Sequence, residues 1–353
     1  MVEQCAILLG GLGTRLGELT RQTPKPLLPV DGKPFVELLI REAWRMGFRK
    51  VLLLAGYKSE RVEAMIEELR GSLPDGCSID ISVESEPLGT GGAVVNALSL
   101  LDERFLLING DTWFDFNWNR LIAGQSGNSA AIGVREVSLA DRYETIRLDA
   151  DGTVTGVINR GEAFDPPFYV NGGVYCFTRE HFVNRPRKFS LEADLLPSLA
   201  AEGLMKAHIS EGYFLDIGIP DTYARSQVEI PARRTRPVVL ISGRLVIEAA
   251  ADTATAVAAA NEAGHVVLAL GLSASEVKAA NAGLRQQAAH IDGVMGHNNS
   301  VGDASLGFKL DASRVLVVGS SEDNLGLYLA ARGLPVLSVN ELANCMIDAR
   351  GYR

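Results

Sequence analysis

Apolar and polar residues alternate in two different rhythms along the chain up to residue 229. Continuous apolar runs such as Val51–Leu54 are typical of buried strands, whereas the apolar residues of Pro34–Met46 recur at helical spacing. This alternation indicates a doubly wound α/β fold. The predicted strands are Cys5–Leu9, Val51–Leu54, Ile79–Val83, Phe105–Ile108, Ala130–Val134, Ile146–Leu148, Val154–Ile158 and Tyr169–Phe177, and the predicted helices are Pro34–Met46, Ser59–Leu69, Gly92–Leu100 and Leu191–Ala201.

The same alternation resumes near the end of a proline-bounded segment at 230–237. That segment runs from Ile230 to Pro237 and lacks apolar periodicity, which is typical of a connection between domains. We therefore predict a first domain over 1–229, a linker over 230–237 and a second, smaller α/β domain over 238–353. Its predicted strands are Val238–Ile241, Val266–Leu270 and Val315–Val318, and its predicted helices are Thr253–Ala263, Ser275–Gln287 and one that ends near Arg332-Gly333.

Composition narrows the functional classes. The chain has 353 residues, 47% of them hydrophobic, and 34 basic against 43 acidic residues give a net charge of −9. This length and apolar content favour about two globular domains, and the acidic balance argues against nucleic acid as a partner. No apolar run reaches the roughly 18 residues of a membrane helix, and the start has no basic region of a signal peptide, so we expect a cytoplasmic protein without a membrane partner. The 4 cysteines lack metal-ligand spacing.

The loop after the first predicted strand indicates phosphate chemistry. It reads Gly10-Gly11-Leu12-Gly13-Thr14-Arg15, and Lys25 follows between two prolines. Glycines let backbone N–H groups approach phosphate oxygens, while a guanidinium and an ammonium neutralise a triphosphate. The loop matches neither the dinucleotide fingerprint nor the Walker motif. A glycine-rich turn with solvated charges is the alternative, which the prolines around Lys25 make less attractive.

Two aspartates stand at the ends of predicted apolar runs. Asn109-Gly110-Asp111-Thr112 follows one strand, and Asp216-Ile217-Gly218 follows the apolar residues 213–215. Two such carboxylates are suited to Mg²⁺, which prefers oxygen ligands and keeps phosphates and waters in its shell. A lone aspartate at a strand end is more often a turn or cap residue, but the nearby phosphate loop favours a metal site.

Together these motifs resemble the sugar-1-phosphate nucleotidyltransferases over roughly residues 3–228. The resemblance is carried by Gly10–Leu16, Pro24-Lys25-Pro26, Glu86–Gly92, Asn109-Gly110-Asp111, Asn171–Tyr175 and Asp216-Ile217-Gly218. Within that family the chain is most similar to the D-glycero-D-manno-heptose 1-phosphate guanylyltransferases. This similarity rests on the phrases Asp111–Asp115, Asp141-Arg142-Tyr143 and Phe189-Ser190-Leu191-Glu192.

The resemblance implies a Rossmann-like domain with a mixed sheet and a phosphoryl-transfer reaction. A sugar 1-phosphate oxygen attacks the α-phosphorus of a nucleoside triphosphate and expels pyrophosphate, so catalysis is mainly positioning and charge stabilisation. In this scheme Arg15 binds the triphosphate, Lys25 stabilises the charge that develops around the α-phosphate, and Asp111 and Asp216 hold Mg²⁺. The implied nucleotide-binding residues are Leu9, Gly10, Gly11, Gly13, Thr14, Arg15, Glu84, Pro87, Gly89, Thr90 and Gly110.

Two of the implied subsites have alternative explanations. Glu84 is suited to accept hydrogen bonds from the N1–H and the amino group of guanine. Uracil and thymine lack that amino donor and cannot make the same pair of hydrogen bonds. The alternative is that Glu84 is a solvated glutamate at a strand end. Asn109, Asn171 and Gly172 fit a sugar-facing segment, or residues 171–173 are simply a strand bulge.

The chain also departs from the family at the sugar site. Glu144 stands where relatives carry glycine, and Asn159-Arg160-Gly161-Glu162 stands where they carry a Glu-Lys pair. We expect Arg160 to take the place of the phosphate-binding lysine, and Glu162 or Glu144 that of the glutamate. These changes leave open another hexose 1-phosphate with UTP or dTTP, and also a catalytically weak sensor or regulatory subunit. Whether the chain forms a homo-oligomer is open as well.

The second domain resembles a haloacid-dehalogenase-like phosphatase that has lost its catalytic residues. In that family the first strand ends in Asp-x-Asp and a later Gly-Asp helps to bind Mg²⁺. Here Ser242-Gly243-Arg244 occupies the first position and Ser320 replaces the later aspartate, with Asp323 nearby. The resemblance therefore implies a domain without an aspartyl-phosphate nucleophile.

Overall fold

A computed structural model shows two compact units. It describes residues 2–11, 13–71, 73, 76–123, 125, 127–138, 144–158, 166–248, 251–295, 309–319 and 336–342. Contacts group Met1–Trp44 with Phe48–Glu229 in the first unit, and Arg45–Gly47 with Ile230–Arg353 in the second. Among the described residues, none of the helices has both the length and the apolar composition that a membrane span requires.

The first unit follows the predicted order of strands and helices. Its strands are β1 Gln4–Leu8, β2 Pro29–Val30, β3 Lys33–Pro34, β4 Lys50–Ala55, β5 Ser78–Val83, β6 Arg104–Asn109, β7 Thr112–Phe114, β8 Ala130–Val137, β9 Thr145–Leu148, β10 Val154–Ile158, β11 Phe168–Thr178, β12 Met205–Ile209 and β13 Phe214–Asp216. Its helices are α1 Glu18–Gln22, α2 Phe35–Arg45, α3 Ser59–Arg70, α4 Gly89–Asn96, α5 Asn119–Ala123, α6 Leu196–Ala201 and α7 Pro220–Arg234.

The main sheet is mixed, which confirms the predicted α/β class. Its strands lie in the order β10-β9-β11-β6-β1-β4-β5, and β8 pairs with β11 and β12. Strands β6, β1, β4 and β5 are parallel, whereas β11 is antiparallel to β6. Because β1 and β6 are parallel neighbours with Leu8 opposite Asn109, the loops that follow them begin at the same edge of the sheet.

Burial explains why β1 and β6 are central. All five residues of β1 are buried, as are the four consecutive residues Phe105–Ile108 of β6. A strand that is covered on both faces has no polar face. The sequences of β1 and β6 therefore contain continuous apolar runs. The core around them includes Ala93 and Val94 of α4 together with Phe189 and Leu191. This packing fixes α4 against the segment that begins at Phe189.

Two predicted helices differ from the observed ones. Helix α4 begins at Gly89 rather than Gly92 and gives way at Leu98 to a 3-10 turn. Glycines usually disfavour a helix, but here Gly91 and Gly92 donate to the Phe189 carbonyl, a contact that fixes the first turn. The predicted helix Leu191–Ala201 is π-helical over Leu191–Leu195, and Pro197 in the first turn of α6 has no N–H to give to the preceding turn.

The second unit has its own parallel sheet. Strands β14 Thr235–Ser242, β15 Val266–Leu270, β16 Gly293–Met295, β17 Lys309–Val318 and β18 Val336–Leu337 lie in the order β16-β15-β14-β17-β18. Helices α8 Gly243–Glu248, α9 Ala251–Glu262 and α10 Ala274–Leu284 accompany them. The predicted helix ending near Arg332-Gly333 lies outside the described residues.

The segment 230–237 is structured differently from the expected linker. Helix α7 continues through Pro231 to Arg234, and β14 begins at Thr235. Ile230, Arg234 and Arg236 are buried at 0%, 4% and 2% exposure. The two arginines interrupt the apolar periodicity of the sequence, so the segment resembles an exposed connection in the sequence. In the structure both arginines are buried and the segment is packed.

Gly110 supplies a test of how closely β1 and β6 must approach. Its N–H donates to the Leu8 carbonyl, and an added Cβ would lie 2.4 Å from that same oxygen. We expect Gly110→Ala to lower the free energy of unfolding of the chain by about 1–3 kcal/mol, because backbone must shift. Urea denaturation measures this. Gly71→Ala is the matched control, since a Cβ there meets nothing within 4 Å, and equal effects of both substitutions would contradict the expectation.

Candidate active site

One ammonium contacts two carboxylates at the carboxyl edge of the main sheet. Lys25 Nζ lies 2.6 Å from Asp111 Oδ2 and 3.3 Å from Asp216 Oδ1. Pro24 and Pro26 flank the short turn that carries Lys25, and its side chain is only 9% exposed. We call Lys25, Asp111 and Asp216 the charged cluster. The structure therefore brings together three residues that the sequence assigned to catalysis.

Local backbone contacts hold the two aspartates side by side. Asp216 is the last residue of β13, which pairs with β7 so that Asp216 lies opposite Thr112. The Ile217 N–H donates to the Asp111 carbonyl at 2.9 Å, and the Gly218 N–H donates to Asp216 Oδ1 at 2.6 Å. A Cβ on Gly218 would lie 2.7 Å from Asp216 Oδ1 and 2.8 Å from Lys25 Nζ. A side chain at position 218 would therefore displace the Asp216 carboxylate and the Lys25 ammonium from their present positions.

The electrostatics of the charged cluster favour a second cation with a higher charge than the Lys25 ammonium. Burial raises the pKa of Asp216, and the neighbouring Asp111 carboxylate raises it further, while Lys25 and the Gly218 N–H oppose both effects. Two mutually repelling carboxylates are oxygen donors of the kind that Mg²⁺ takes. Among the described residues no group of three or more His, Cys, Asp or Glu side chains is arranged to hold a metal. An ion held by Asp111 and Asp216 would therefore take further ligands from phosphate oxygens and water.

A cleft of about 300 Å³ opens beside the two aspartates. The residues that line it are Arg15, Asn109, Asp111, Thr112, Glu144, Asn171, Glu192, Phe214 and Asp216. Arg15 is exposed, and its guanidinium has no bonding partner in the part of the chain that the structure describes. A cleft with an available cation, two metal-type carboxylates and several hydroxyl-binding groups can hold an anionic, hydroxyl-rich ligand.

The glycine loop lies next to this cleft as strand topology predicts. Gly11 and Gly13 have φ values of 112° and 61°, which favour glycine, and Gly10 and Gly11 are exposed. The exposed Thr14 follows directly in the chain. Leu9 differs from the expectation of a binding residue, because its side chain is 3% exposed and belongs to the core.

Residues 171–173 form a strand bulge that also contributes to the cleft. Asn171 pairs with Val134 and Tyr175 with Ile132, so β11 carries extra residues between these pairs. Asn171 lines the cleft, and a Cβ on Gly173 would lie 2.8 Å from the side-chain amide of Asn109. Gly172 packs against the Phe114 ring and is not among the lining residues. The structure shows the bulge that the sequence offered as one of two alternatives, and of residues 171–173 only Asn171 lines the cleft.

None of residues 84–90 is among the residues that line the cleft, although Thr90 contacts one of them. Glu84 Oε2 accepts from the Leu88 N–H at 3.1 Å. Burial raises the pKa of Glu84, and that hydrogen bond opposes the rise. Pro87 is exposed. Thr90 Oγ1 donates to Glu192 Oε2 at 2.6 Å, and a Cβ on Gly89 would lie 2.5 Å from the Phe189 carbonyl oxygen.

The structure describes only some of the residues that the sequence predicts to bind the sugar. Glu144 lines the cleft, and its carbonyl accepts from the Asn171 N–H at 3.1 Å. Arg160 and Glu162 lie outside the described residues, as does the phrase Asp141-Arg142-Tyr143.

Three lining residues were not predicted from the sequence. Thr112 adjoins Asp111, and Phe214 precedes Asp216 by two residues, so both had a sequence signal in their position. Glu192 belongs to the phrase Phe189-Ser190-Leu191-Glu192, which carried only the resemblance to the heptose subgroup. Its place in the cleft depends on tertiary packing of the π-helical turn.

Comparison with known proteins agrees with this geometry. Residues 5–233 match the family model described as nucleotidyl transferase. The chain is 34% identical over 232 residues to the D-glycero-alpha-D-manno-heptose 1-phosphate guanylyltransferase of Aneurinibacillus thermoaerophilus. This match covers 64% of this chain and 98% of that protein. It is 33% identical over 222 residues to the protein of the same name from Campylobacter jejuni, with 62% and 96% covered.

A solved structure shows the same fold in the first part of the chain. HddC from Yersinia pseudotuberculosis complexed with GMP-PN superposes with a TM-score of 0.57 and is 32% identical. The match covers 65% of this chain and 100% of HddC.

The position of Lys25 predicts competition between its ammonium and a divalent cation. We expect Lys25→Met to bind Mg²⁺ more tightly than the parent when nucleotide is absent, because the cation no longer has to displace Nζ from Asp111 and Asp216. Thermal unfolding with increasing MgCl₂ measures this, since a ligand at a hundred times its Kd stabilises by about 2.7 kcal/mol.

Two controls make the Mg²⁺ titration specific. Lys50→Met removes an ammonium that contacts Asp102 at 3.0 Å on the surface, and it should leave the Mg²⁺ response unchanged. Adding Asp111→Asn to Lys25→Met should abolish the gain. Equal Mg²⁺ responses of the parent and Lys25→Met would contradict the expectation.

Proposed function

The chain belongs to the nucleotidyl transferase family and is a sugar-1-phosphate nucleotidyltransferase, and we propose that it joins GMP from GTP to D-glycero-D-manno-heptose 1-phosphate. The observation that carries the reaction is the charged cluster beside Arg15 in a cleft lined by hydroxyl-binding side chains. Support for GTP and for the heptose comes from the two relatives named as heptose 1-phosphate guanylyltransferases and from the GMP-PN complex of HddC.

The residues of the cleft account for the steps of this transfer. Arg15 is in a position to bind the triphosphate and to retain the leaving pyrophosphate, since no described residue occupies its guanidinium. Lys25 supplies a buried positive charge where negative charge develops around the α-phosphate. Asp111 and Asp216 would hold a divalent ion, which supplies charge neutralisation to the phosphate oxygens when bound. No nucleophile of the protein is needed, because the sugar phosphate oxygen attacks directly.

The second unit is proposed to have no phosphatase activity. Strand β14 ends in Ser242, which is 3% exposed, and α8 begins immediately at Gly243. A Cβ on Gly243 would lie 2.6 Å from the Leu270 carbonyl oxygen, so the backbone is closely packed directly after Ser242, which stands where the resemblance expects the nucleophile. Arg244 pairs with Glu248 at 2.8 Å. Ser320 and Asp323 lie outside the described residues.

Pyrophosphate release across a matrix of nucleoside triphosphates and sugar 1-phosphates tests the reaction and its substrates. We expect release with GTP and heptose 1-phosphate in the presence of Mg²⁺. Asp111→Asn should reduce kcat by about a hundredfold or more, because a charge-stabilising group of the site is lost. Asp102→Asn, on the surface, should not. Release with another pair would replace the substrates, and normal turnover of Asp111→Asn would remove that residue from the mechanism.

Glu84 supplies a test of base recognition with a defined pH dependence. The Glu84 side chain can accept from the N1–H and the amino group of guanine with both oxygens only when it is ionised. The pKa of Glu84 is raised, so on acidification it protonates at a higher pH than an ordinary glutamate. We expect the KM for GTP to rise as the pH falls through that range. Glu84→Gln should raise the KM for GTP about tenfold at neutral pH and flatten its pH profile.

The neighbouring exposed glutamate serves as the control for base recognition. Glu86 lies 3.6 Å from Arg187 with a side chain that is 59% exposed, so Glu86→Gln should keep the parental KM and pH profile. An unchanged preference between GTP and UTP in Glu84→Gln would remove Glu84 from base recognition.

A further inference from the structure

We propose that Glu192 binds a hydroxyl group of the sugar and that Thr90 is the residue that positions it. This inference rests on the proposed function, because it requires a sugar 1-phosphate in the cleft. It assigns a sugar role to a residue that the sequence did not select, and it moves Thr90 from the nucleotide side of the site to the sugar side.

The hydrogen bonds of Glu192 leave one carboxylate oxygen available. Oε2 accepts from Thr90 Oγ1 at 2.6 Å and from Ser190 Oγ at 2.9 Å. Oε1 has no hydrogen-bonding partner among the residues that the structure describes, and the side chain lines the cleft. Two hydroxyl donors on one oxygen fix the orientation of the carboxylate. An oriented carboxylate with a vacant oxygen is a strong acceptor for a sugar hydroxyl.

Asn171 offers the complementary donor in the same cleft. Its Oδ1 accepts from the Gly173 N–H at 3.0 Å and from the Tyr175 hydroxyl at 2.9 Å. Both of these partners are donors, so they fix which side-chain atom is oxygen and leave the NH₂ group for a ligand. Each sugar hydroxyl both donates and accepts. A cleft that presents an oriented amide and an oriented carboxylate therefore matches a polyol better than an apolar or purely anionic ligand.

The charges around Tyr175 agree with the place of Glu192 among the residues that line the cleft. Burial raises the pKa of Tyr175, and the carboxylates of Glu192, Glu144 and Asp111 raise it further. The Tyr175 hydroxyl thus stays protonated and keeps donating to Asn171. Glu192 acts within the same group of side chains as the sugar residues that the sequence predicted.

The contacts of Thr90 explain its role as a positioning residue. Its Oγ1 accepts from the Leu191 N–H at 2.9 Å while it donates to Glu192 Oε2. Thr90 is not among the residues that line the cleft. The neighbouring Gly91 and Gly92 N–H groups donate to the Phe189 carbonyl, so the first turn of α4 is attached to the chain just before Glu192.

Glu192 is not needed to cap the π-helical turn. The π-helical turn already has its own cap, because Ser190 Oγ accepts from the Ala193 N–H at 3.1 Å and Asp194 Oδ2 accepts from the Ser190 N–H at 2.8 Å. The Glu192 carboxylate accepts no backbone N–H in the described part of the chain. Its hydrogen bonds orient the side chain rather than complete the turn.

Steady-state kinetics on the full chain test the proposal, with GTP and the sugar 1-phosphate that the parent uses. We expect Glu192→Gln and Glu192→Ala to raise the KM for the sugar 1-phosphate about tenfold or more while the KM for GTP stays within about twofold. Thr90→Val should raise the same KM, and Thr90→Ser, which keeps the hydroxyl, should restore it. Glu202→Gln is the control, since Glu202 also accepts from a serine hydroxyl, at 2.9 Å from Ser198 on the surface.

The outcomes separate this inference from the proposed function. An unchanged KM for the sugar in both Glu192 variants overturns the inference alone, because the parent still turns over. A rise in the KM for GTP in Thr90→Val, with the sugar KM unchanged, returns Thr90 to the nucleotide and overturns its positioning role. A parent that releases no pyrophosphate with any sugar 1-phosphate overturns the proposed function and this inference with it. The unchanged KM for GTP also shows that the variants are folded.

Discussion

The contact of the Lys25 ammonium with the carboxylates of Asp111 and Asp216 is the interaction on which the site depends. The three residues are distant in sequence, since Lys25 precedes Asp111 by 86 residues and Asp216 by 191. Two carboxylates at close range in a partly buried position repel each other, and a cation between them offsets that cost. The parallel sheet and the β7–β13 pair therefore assemble a position for positive charge before any substrate binds. Phosphate chemistry needs such a position because its transition state is dominated by negative charge.

The proposed phosphate side of the site could be predicted because it follows from strand topology. Parallel strands present their carboxyl ends at one edge, so two apolar runs followed by glycines and by Asp111 already imply a shared site. Asp216 was a weaker prediction. Its apolar run at 213–215 indicated a strand, but the pairing of β13 with β7 joins segments about 100 residues apart and has no signal in local propensity.

The proposed sugar side of the cleft could be predicted only in part because irregular segments build it. Glycines 89, 91 and 92 resembled a ligand-binding loop, yet a Cβ on Gly91 would lie 2.4 Å from the Phe189 ring, so the absence of a side chain there serves packing. The same packing brings Thr90 into contact with Glu192, which is 102 residues away in the sequence. A glycine required for close packing and a glycine required for ligand approach are identical in sequence. Glu192 therefore emerged only from the tertiary structure.

This division of the site explains how the chain can depart from its family near the sugar and keep the reaction. The charged cluster depends on β6, β7, β13 and the turn that carries Lys25. Glu144, in contrast, precedes β9 and is linked through its carbonyl to Asn171 on the bulge of β11. A new side chain at 144 alters the shape and charge of the cleft on the antiparallel part of the sheet. If the proposed roles hold, substrate choice can change through residues of that part while the charged cluster remains in place.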